Sequence, residues 1–166
     1  MKAMSALLLA SAIFRVVPVH AESTIASPLI GHWALDVSKL PMPPKDRPKS
    51  VTVDFRGAAD GKWSTRVEIV DQSGNTMHGE SMLSLDGTPG QATGNYCVDA
   101  CAAKMPAPDV LVMQFAYEGK PASTRIYSVN ADGTTLTETR HSSKKMELRA
   151  CEPPSLLEDS LSMRGS

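Results

Sequence analysis

Apolar and polar side chains alternate along several stretches of this chain. Residues 51–55 alternate valine and phenylalanine with threonine and aspartate, and residues 63–69 set Trp, Val and Ile against Ser, Arg and Glu. Because successive side chains of a β-strand point to opposite faces, the pattern predicts strands with one buried face and one solvent-exposed face. Residues 110–117 are mainly apolar on both faces of the predicted strand, which predicts the most enclosed strand of the fold.

Short segments whose residues tolerate positive φ separate many of these stretches. They are Asp60-Gly61, Ser73-Gly74-Asn75, Asp86-Gly87, Glu118-Gly119 and Asp132-Gly133. Such turns connect antiparallel strands, so we predict an all-β fold, an antiparallel up-and-down meander of about eight strands. Closing the meander into a lipocalin-like barrel removes its exposed edges, and such an interior is either filled by side chains or holds one small ligand.

Three segments depart from the hairpin pattern. Residues 99–105 predict one short helix, with Asp99 as its N-cap and Pro106 as its stop. Residues 40–48 carry four prolines and predict an extended crossover. Residues 152–166 include two adjacent prolines and have no partner in the pattern, which predicts a disordered tail.

The N-terminus has the features of a secretory signal peptide. Lys2 precedes an apolar run over residues 5–14, and Val19 and Ala21 are small residues at the −3 and −1 positions of a cleavage site. The run is too short to span a membrane. We therefore predict a signal peptide over residues 1–21 with cleavage after Ala21, and a periplasmic or secreted protein. An extended segment over residues 22–30 and a barrel domain over residues 31–151 follow it.

The charge of the chain argues against nucleic acid as a partner. Its formal net charge is −1, and loss of Lys2 and Arg15 with the signal peptide makes the mature protein more negative. Binding to phosphates needs a concentrated positive field, which this balance does not supply. We interpret the densest basic stretch, residues 140–149, as a solvated strand edge.

Candidate catalytic chemistry is scarce. His32, His78 and His141 lie far apart without a partnered motif, and no nucleophile elbow, HExxH or Gly-rich phosphate loop occurs. Cys97 and Cys101 lack the second ligand pair of a usual zinc site. We therefore expect a non-enzymatic protein with no catalytic residue, no metal and no cofactor.

Export permits disulfide bonds, and the chain has three cysteines. Residues four apart are separated by about 13 Å in a strand but only by about 6 Å across a helical turn. The helix predicted over residues 99–105 therefore favours a Cys97–Cys101 bridge slightly. A bridge from either residue to Cys151 is the alternative, and it would close a longer loop with a larger expected stabilisation.

Gly31 and Trp33 form a G-x-W pattern at the start of the first predicted strand. Lipocalins and their relatives carry this pattern at the same place, and the chain resembles that superfamily there. The resemblance implies that the tryptophan plugs the closed end of the barrel beneath an arginine of the last strand, in a cation–π contact. Gly31, Trp33 and Arg149 are the residues that match this plug.

A closer resemblance covers residues 31 to about 140. The chain is similar to a group of small, mostly uncharacterised secreted bacterial proteins with a lipocalin-like β-domain. Their pattern opens with G-x-W-x-L-[DN], crosses a proline-rich stretch, returns as K-S-x-T at Lys49, and later reads S-x-x-x-D-G-x-x-L-T-x-T from Ser128. Because most of these are turn and strand residues, the resemblance implies a fold and no catalytic residue.

Two functions of different classes are compatible with this sequence. In the first, the barrel binds a small hydrophobic ligand, unless the same side chains fill the interior. In the second, the chain is a protein-interaction module such as a periplasmic inhibitor of a secreted protease. Secreted bacterial metalloprotease inhibitors are also small G-x-W barrels, and residues 22–30 would be the trunk that enters the protease cleft. The candidate ligand-lining residues of the first function are Trp63, Val67, Ile69, Met82, Met113, Phe115 and Tyr117.

Overall fold

The computed structural model describes residues 26–142 and 160–165 of the chain. The predicted signal peptide and residues 22–25 lie outside the described residues. Arg149 and Cys151 also lie outside them, so the role of this arginine in the plug and a bridge to this cysteine stay predictions.

Ten antiparallel strands form one closed barrel in the part of the chain that the structure describes. They are β1 Gly31–Leu35, β2 Ser50–Gly57, β3 Trp63–Val70, β4 Thr76–Leu83, β5 Gly90–Gly94, β6 Ala100–Ala107, β7 Val110–Tyr117, β8 Lys120–Val129, β9 Thr135–Ser142 and β10 Ser160–Gly165. Each strand pairs with its neighbours in the chain, and β10 closes the barrel by pairing with both β9 and β1. The predicted all-β class, antiparallel meander and closure are confirmed.

The barrel has two distinct ends. At the lower end β1 begins and β10 ends; at the upper end residues 36–49, 71–75, 95–99 and 118–119 connect the strands. The predicted crossover lies at the upper end, where short 3-10 turns at Val37–Lys39 and Pro44–Asp46 interrupt an otherwise irregular path. The alternation predicted for the second and third strands places Val53, Phe55 and Trp63 inside the barrel.

The prediction of a helix over residues 99–105 was wrong, because this stretch belongs to β6. Its helix-forming alanines give a weak local preference, which pairing with β5 and β7 on both sides overrides. Pro106 is accommodated at a shift of register between Lys104 and Ala107. Asp99 caps no helix; its carboxylate accepts a hydrogen bond from the backbone N–H of Glu118 over 2.6 Å.

The predicted count of about eight strands and the end of the domain at residue 151 were also wrong. Residues 160–165 form β10 rather than part of a disordered tail, so the barrel extends to Gly165. Leu161 and Met163 of this strand are buried in the barrel. The short β5 was overlooked because its five residues, GQATG, contain no large apolar side chain.

Aromatic side chains fill the lower half of the barrel. The ring centroid of Phe55 lies 5.5 Å from that of Trp63 and 5.1 Å from that of Tyr127, and all three side chains are fully buried. Trp33 is 3% exposed and donates its Nε1–H to the carbonyl oxygen of Leu29, which is itself fully buried. Trp33 and Leu29 therefore close the lower end.

Aspartates stabilise the tight turns between strands. The Asp132 carboxylate accepts hydrogen bonds from the hydroxyl and the backbone N–H of Thr134, and the Asp71 carboxylate accepts them from the amide and the backbone N–H of Asn75. The side-chain hydrogen bonds are the largest cause that lowers the pKa of both carboxyl groups below its ordinary value. These turns therefore hold their aspartates in the charged form.

We expect the free energy of unfolding to fall as the solution is acidified below about pH 4. A carboxyl group whose folded pKa is lowered stabilises the fold above its unfolded pKa, and this stabilisation is lost as the pH falls through the folded pKa. Urea unfolding at a series of pH values measures the effect. An Asp71→Asn, Asp132→Asn double variant should lose less stability on acidification, and an unchanged pH dependence would contradict the assignment.

Candidate functional site

The upper half of the barrel interior contains a cavity of about 30 Å³. Apolar side chains of Val67, Val98, Met113 and Phe115 form part of its wall. Met113 is fully buried, whereas Val67, Val98 and Phe115 are only half-buried. Because one water molecule needs about 10–15 Å³ of such space, the cavity in this conformation has room for water but not for an organic molecule.

Charged side chains face this half of the interior from two neighbouring strands. Arg125 of β8 and Glu138 and Arg140 of β9 are each less than one-tenth exposed. Nη1 of Arg125 lies 3.5 Å from Oε1 of Glu138, and the two arginines are register partners in the β8–β9 ladder. We call these three residues the interior charge cluster. Burial of each ion costs several kcal/mol in desolvation, so hydrophobic packing does not account for this cluster.

Aromatic rings orient the guanidinium group of Arg125. Its Nη2 donates a hydrogen bond to the hydroxyl oxygen of Tyr96 over 2.9 Å. Its Cζ lies 5.6 Å from the ring centroid of Tyr96 and 5.0 Å from that of Phe115, within the range of cation–π attraction. Arg125 also lines the cavity. A positive charge is therefore held in a defined orientation at the cavity wall.

Tyr127 lies beside the interior charge cluster and stays neutral. Burial raises the pKa of its phenol far above the ordinary value, and the nearby Glu138 carboxylate raises it further. The phenol is hydrogen-bonded to both Glu138 and Arg125. Tyr127 therefore connects the charge cluster to the aromatic packing of the lower half, and it has no capacity for acid–base chemistry near neutral pH.

Cys101 is a free, buried thiol on the wall of the cavity. Burial raises its pKa above the ordinary value, and a hydrogen bond with Ser81 opposes this only in part. Because the thiolate is the reactive form of cysteine, this environment makes Cys101 a poor nucleophile. Its geometry gives no support to cysteine-based catalysis.

The predicted ligand-lining residues occupy different parts of the molecule. Val67, Met113 and Phe115 line the cavity. Trp63 and Ile69 are fully buried in the core, and Tyr117 is half-buried at the upper end of β7. Three of the seven predicted residues thus contact the cavity, while two contribute to its surrounding core.

The prediction that Met82 faces the interior was wrong. Its side chain is 59% exposed, on the outer face of the barrel. Residues paired directly across neighbouring strands share a face, and buried Trp63 pairs with Leu83, which places Leu83 inside and Met82 outside. Because successive side chains of a strand point to opposite faces, an error of one position assigns a residue to the wrong face.

The favoured Cys97–Cys101 bridge was wrong as well. The bridge depended on a helical turn, but Cys101 lies on β6, and its thiol is free. Along an extended chain, positions four apart are separated by about 13 Å, too far for a disulfide bond. The alternative bridge, from Cys97 to Cys151, stays a prediction.

The described part of the N-terminal segment packs against the barrel. Residues 28–29 form a turn, and the Ser27 hydroxyl donates a hydrogen bond to the backbone carbonyl of Pro108 at the lower end. With Leu29 buried beside Trp33, residues 27–29 are held against the barrel instead of projecting from it. The protease-inhibitor hypothesis stays a prediction that depends on residues outside this packed part.

Two shallow grooves lie on the outer face of the barrel. One, of about 570 Å³, crosses β2 to β5 and is lined by ion-paired side chains, including Arg66 and Glu80 at 3.0 Å. The other, of about 410 Å³, crosses β6 to β9 and is lined mainly by small residues such as Ala102, together with Gln114 and His141. Among the described residues, no group of three or more His, Cys, Asp or Glu side chains could hold a metal ion.

The sequence interpretation missed the interior charge cluster. It placed residues 140–149 on a solvated edge, but Arg140 is 3% exposed. On β8, Arg125 and Tyr127 face inward, and Ile126 between them is half-buried. The alternation of side chains between the two faces of β8 was the usable signal, because it places Arg125 on the same face as Tyr127 and Val129.

Within the described ranges, no helix is long and apolar enough to cross a membrane. No protein family, no curated protein and no solved structure matches the chain.

Proposed function

We propose that this chain is an exported, non-enzymatic protein of the lipocalin-like type, and that it binds a small apolar ligand in the upper half of its barrel. The signal-peptide pattern supports export. The closed barrel and the buried Trp33 at its lower end agree with the lipocalin-like resemblance.

Half-buried apolar side chains in the upper half are the observation that carries this proposal. Val67, Met77, Ala92, Val98 and Phe115 pack against the core yet remain partly exposed. In the lower half, by contrast, the aromatic side chains are fully buried. Removal of apolar surface from water lowers the free energy, so a ligand that buries these side chains gains affinity. Ligand sites are usually lined by apolar side chains with a few polar groups.

Ligand entry requires the loop of residues 95–99 to move. Ligand sites usually have volumes of about 300–1,000 Å³, whereas the cavity measures about 30 Å³. This loop carries Tyr96 and Val98, which both line the cavity. It is held to β4 by Asn95, whose Oδ1 accepts the backbone N–H of His78 and whose Nδ2 donates to the carbonyl of Thr76. Outward movement of the loop would open the cavity to solvent.

Native mass spectrometry of gently purified protein should reveal a copurifying apolar molecule, and added 1-decanol should raise the melting temperature. Ala92→Phe places a large ring in the cavity wall and is expected to weaken decanol binding by about tenfold or more. A bare mass together with no thermal shift on adding decanol would overturn the proposal.

Ala102→Phe is the matched control. Ala102 lies in the outer groove across β6 to β9 and does not line the cavity, so the same substitution there places the ring outside the interior. Decanol binding should survive in this variant. If binding is lost in Ala102→Phe and retained in Ala92→Phe, the ligand binds the outer groove and the proposed interior site is wrong.

A further inference from the structure

Two hydroxyl side chains lie at the floor of the proposed ligand site. Thr65 and Ser81 are register partners in the β3–β4 ladder, and both line the cavity. The next inward-facing pair below them is Trp63 and Leu83, and both of these residues are buried in the core. The two hydroxyl groups therefore lie at the boundary between the filled lower half of the barrel and the cavity.

The hydroxyl group of Thr65 has a poor hydrogen-bond partner. The residue is only 5% exposed. Its Oγ1–H donates to Sδ of Met113 over 3.9 Å, which is the one side-chain hydrogen bond of Thr65 among the described residues. A thioether is a weak acceptor, and burial of a hydroxyl group without a good partner is unfavourable. A ligand group that forms a hydrogen bond with Thr65 would therefore gain affinity.

The polar groups at this floor are uncharged. The Ser81 hydroxyl is hydrogen-bonded to the Cys101 thiol, and burial raises the pKa of that thiol, so it stays protonated. The arginine on the cavity wall, Arg125, is already paired with Glu138 and Tyr96. Hydroxyl groups both donate and accept hydrogen bonds, whereas a carboxylate only accepts them. An uncharged head group that donates and accepts therefore fits this floor best.

We propose that the ligand carries a hydroxyl head group, which binds at Thr65 and Ser81. Its apolar tail extends upward along Val67, Val98 and Phe115. This inference rests on the proposed function and specifies its ligand class. A hydroxyl group is about as large as a water molecule, so the cavity of about 30 Å³ has room for it. Val67 follows Thr65 on the inner face of β3, which directs the tail toward the upper end of the barrel.

A pair of compounds, 1-octanol and 1-chlorooctane, tests this head group, because they share one tail and differ at its end. Thr65→Val removes the hydroxyl group and nearly keeps the shape of the side chain. The variant should bind 1-octanol about three- to tenfold more weakly than the parent protein and bind 1-chlorooctane as tightly. Each compound is compared between proteins, because the two compounds differ in hydrophobicity. The rise in melting temperature with ligand concentration measures the binding.

Two further variants complete the test. Ser81→Ala removes the second hydroxyl group and should also weaken the binding of 1-octanol alone. Thr124 lies in the outer groove across β6 to β9 and does not line the cavity. Thr124→Val is therefore the matched control, and it should leave the binding of both compounds unchanged.

The possible outcomes separate the head group from the proposed function. Unchanged binding of 1-octanol in both Thr65→Val and Ser81→Ala would overturn the hydroxyl proposal and leave the proposed function standing. An equal loss for the two compounds would assign the effect to altered packing and overturn the hydroxyl proposal as well. If neither compound binds the parent protein, the hydroxyl proposal fails, and failure of decanol to bind would overturn the proposed function too.

Discussion

Replacement of Glu138 with alanine is expected to lower the free energy of unfolding by about 3–5 kcal/mol. The carboxylate lies 3.5 Å from the Arg125 guanidinium and is hydrogen-bonded to Tyr127, with both charged side chains less than one-tenth exposed. Its removal leaves the arginine in the interior without the carboxylate that faces it. Urea unfolding, with the midpoint and slope measured together, gives the change in stability.

Two control variants separate the buried charge from other effects. An Arg125→Met, Glu138→Leu variant replaces both partners with apolar side chains, which is often neutral or stabilising, so it should recover most of the loss. Glu80→Ala breaks the exposed pair with Arg66 at 3.0 Å, and an exposed pair contributes only about 0–1 kcal/mol. A Glu138→Ala loss as small as that of Glu80→Ala would show that the interior pair is not buried as described.

The barrel and many of its turns could be predicted because their signals are local. Alternation over residues 51–55 and 63–69 assigns the inner face of two strands without knowledge of their partners. The glycines of several turns likewise have positive φ, for example 73° at Gly133 and 71° at Gly119. These conformations favour glycine wherever the rest of the chain lies.

The strands that were not predicted correctly depend on pairing partners that are distant in the sequence. β6 contains alanines and a lysine that favour a helix locally, yet its backbone hydrogen bonds go to β5 and β7. β10 is paired with β1, more than a hundred residues earlier in the chain. No local pattern marks such a strand strongly, because Ser160–Gly165 has only two large apolar side chains, Leu161 and Met163.

The interior charge cluster was missed for the same reason. Arg125 and Arg140 become neighbours only through the β8–β9 register, and Arg125 meets Tyr96 only through barrel closure. When only the sequence is known, a charged residue in a strand with alternating polarity is assigned to the solvent-exposed face. Of the candidate site, the sequence therefore predicted apolar wall residues such as Met113 and Phe115 but not the charged end.

Replacement of Trp33 with alanine is expected to lower the free energy of unfolding by about 3–5 kcal/mol, the range for a buried large aromatic side chain. The indole is 3% exposed, and it is packed so closely that a Cβ added at Gly165 would lie 3.2 Å from its ring. Removal of the ring leaves a cavity at the lower end, beside Leu29. Chemical unfolding measures the loss, and a crystal structure of the variant would show whether the end collapses.

Comparison of the two tryptophans isolates the role of the indole N–H in this plug. Trp33 donates Nε1–H to Leu29, whereas Nε1 of the fully buried Trp63 has no hydrogen-bond acceptor among the described residues. Each Trp→Phe substitution removes a similar volume, but only Trp33→Phe breaks a hydrogen bond, while Trp63→Phe removes an unsatisfied donor. Trp33→Phe should therefore cost about 1 kcal/mol more than Trp63→Phe. An equal or smaller cost would show that packing alone, and not the bond to Leu29, closes the lower end.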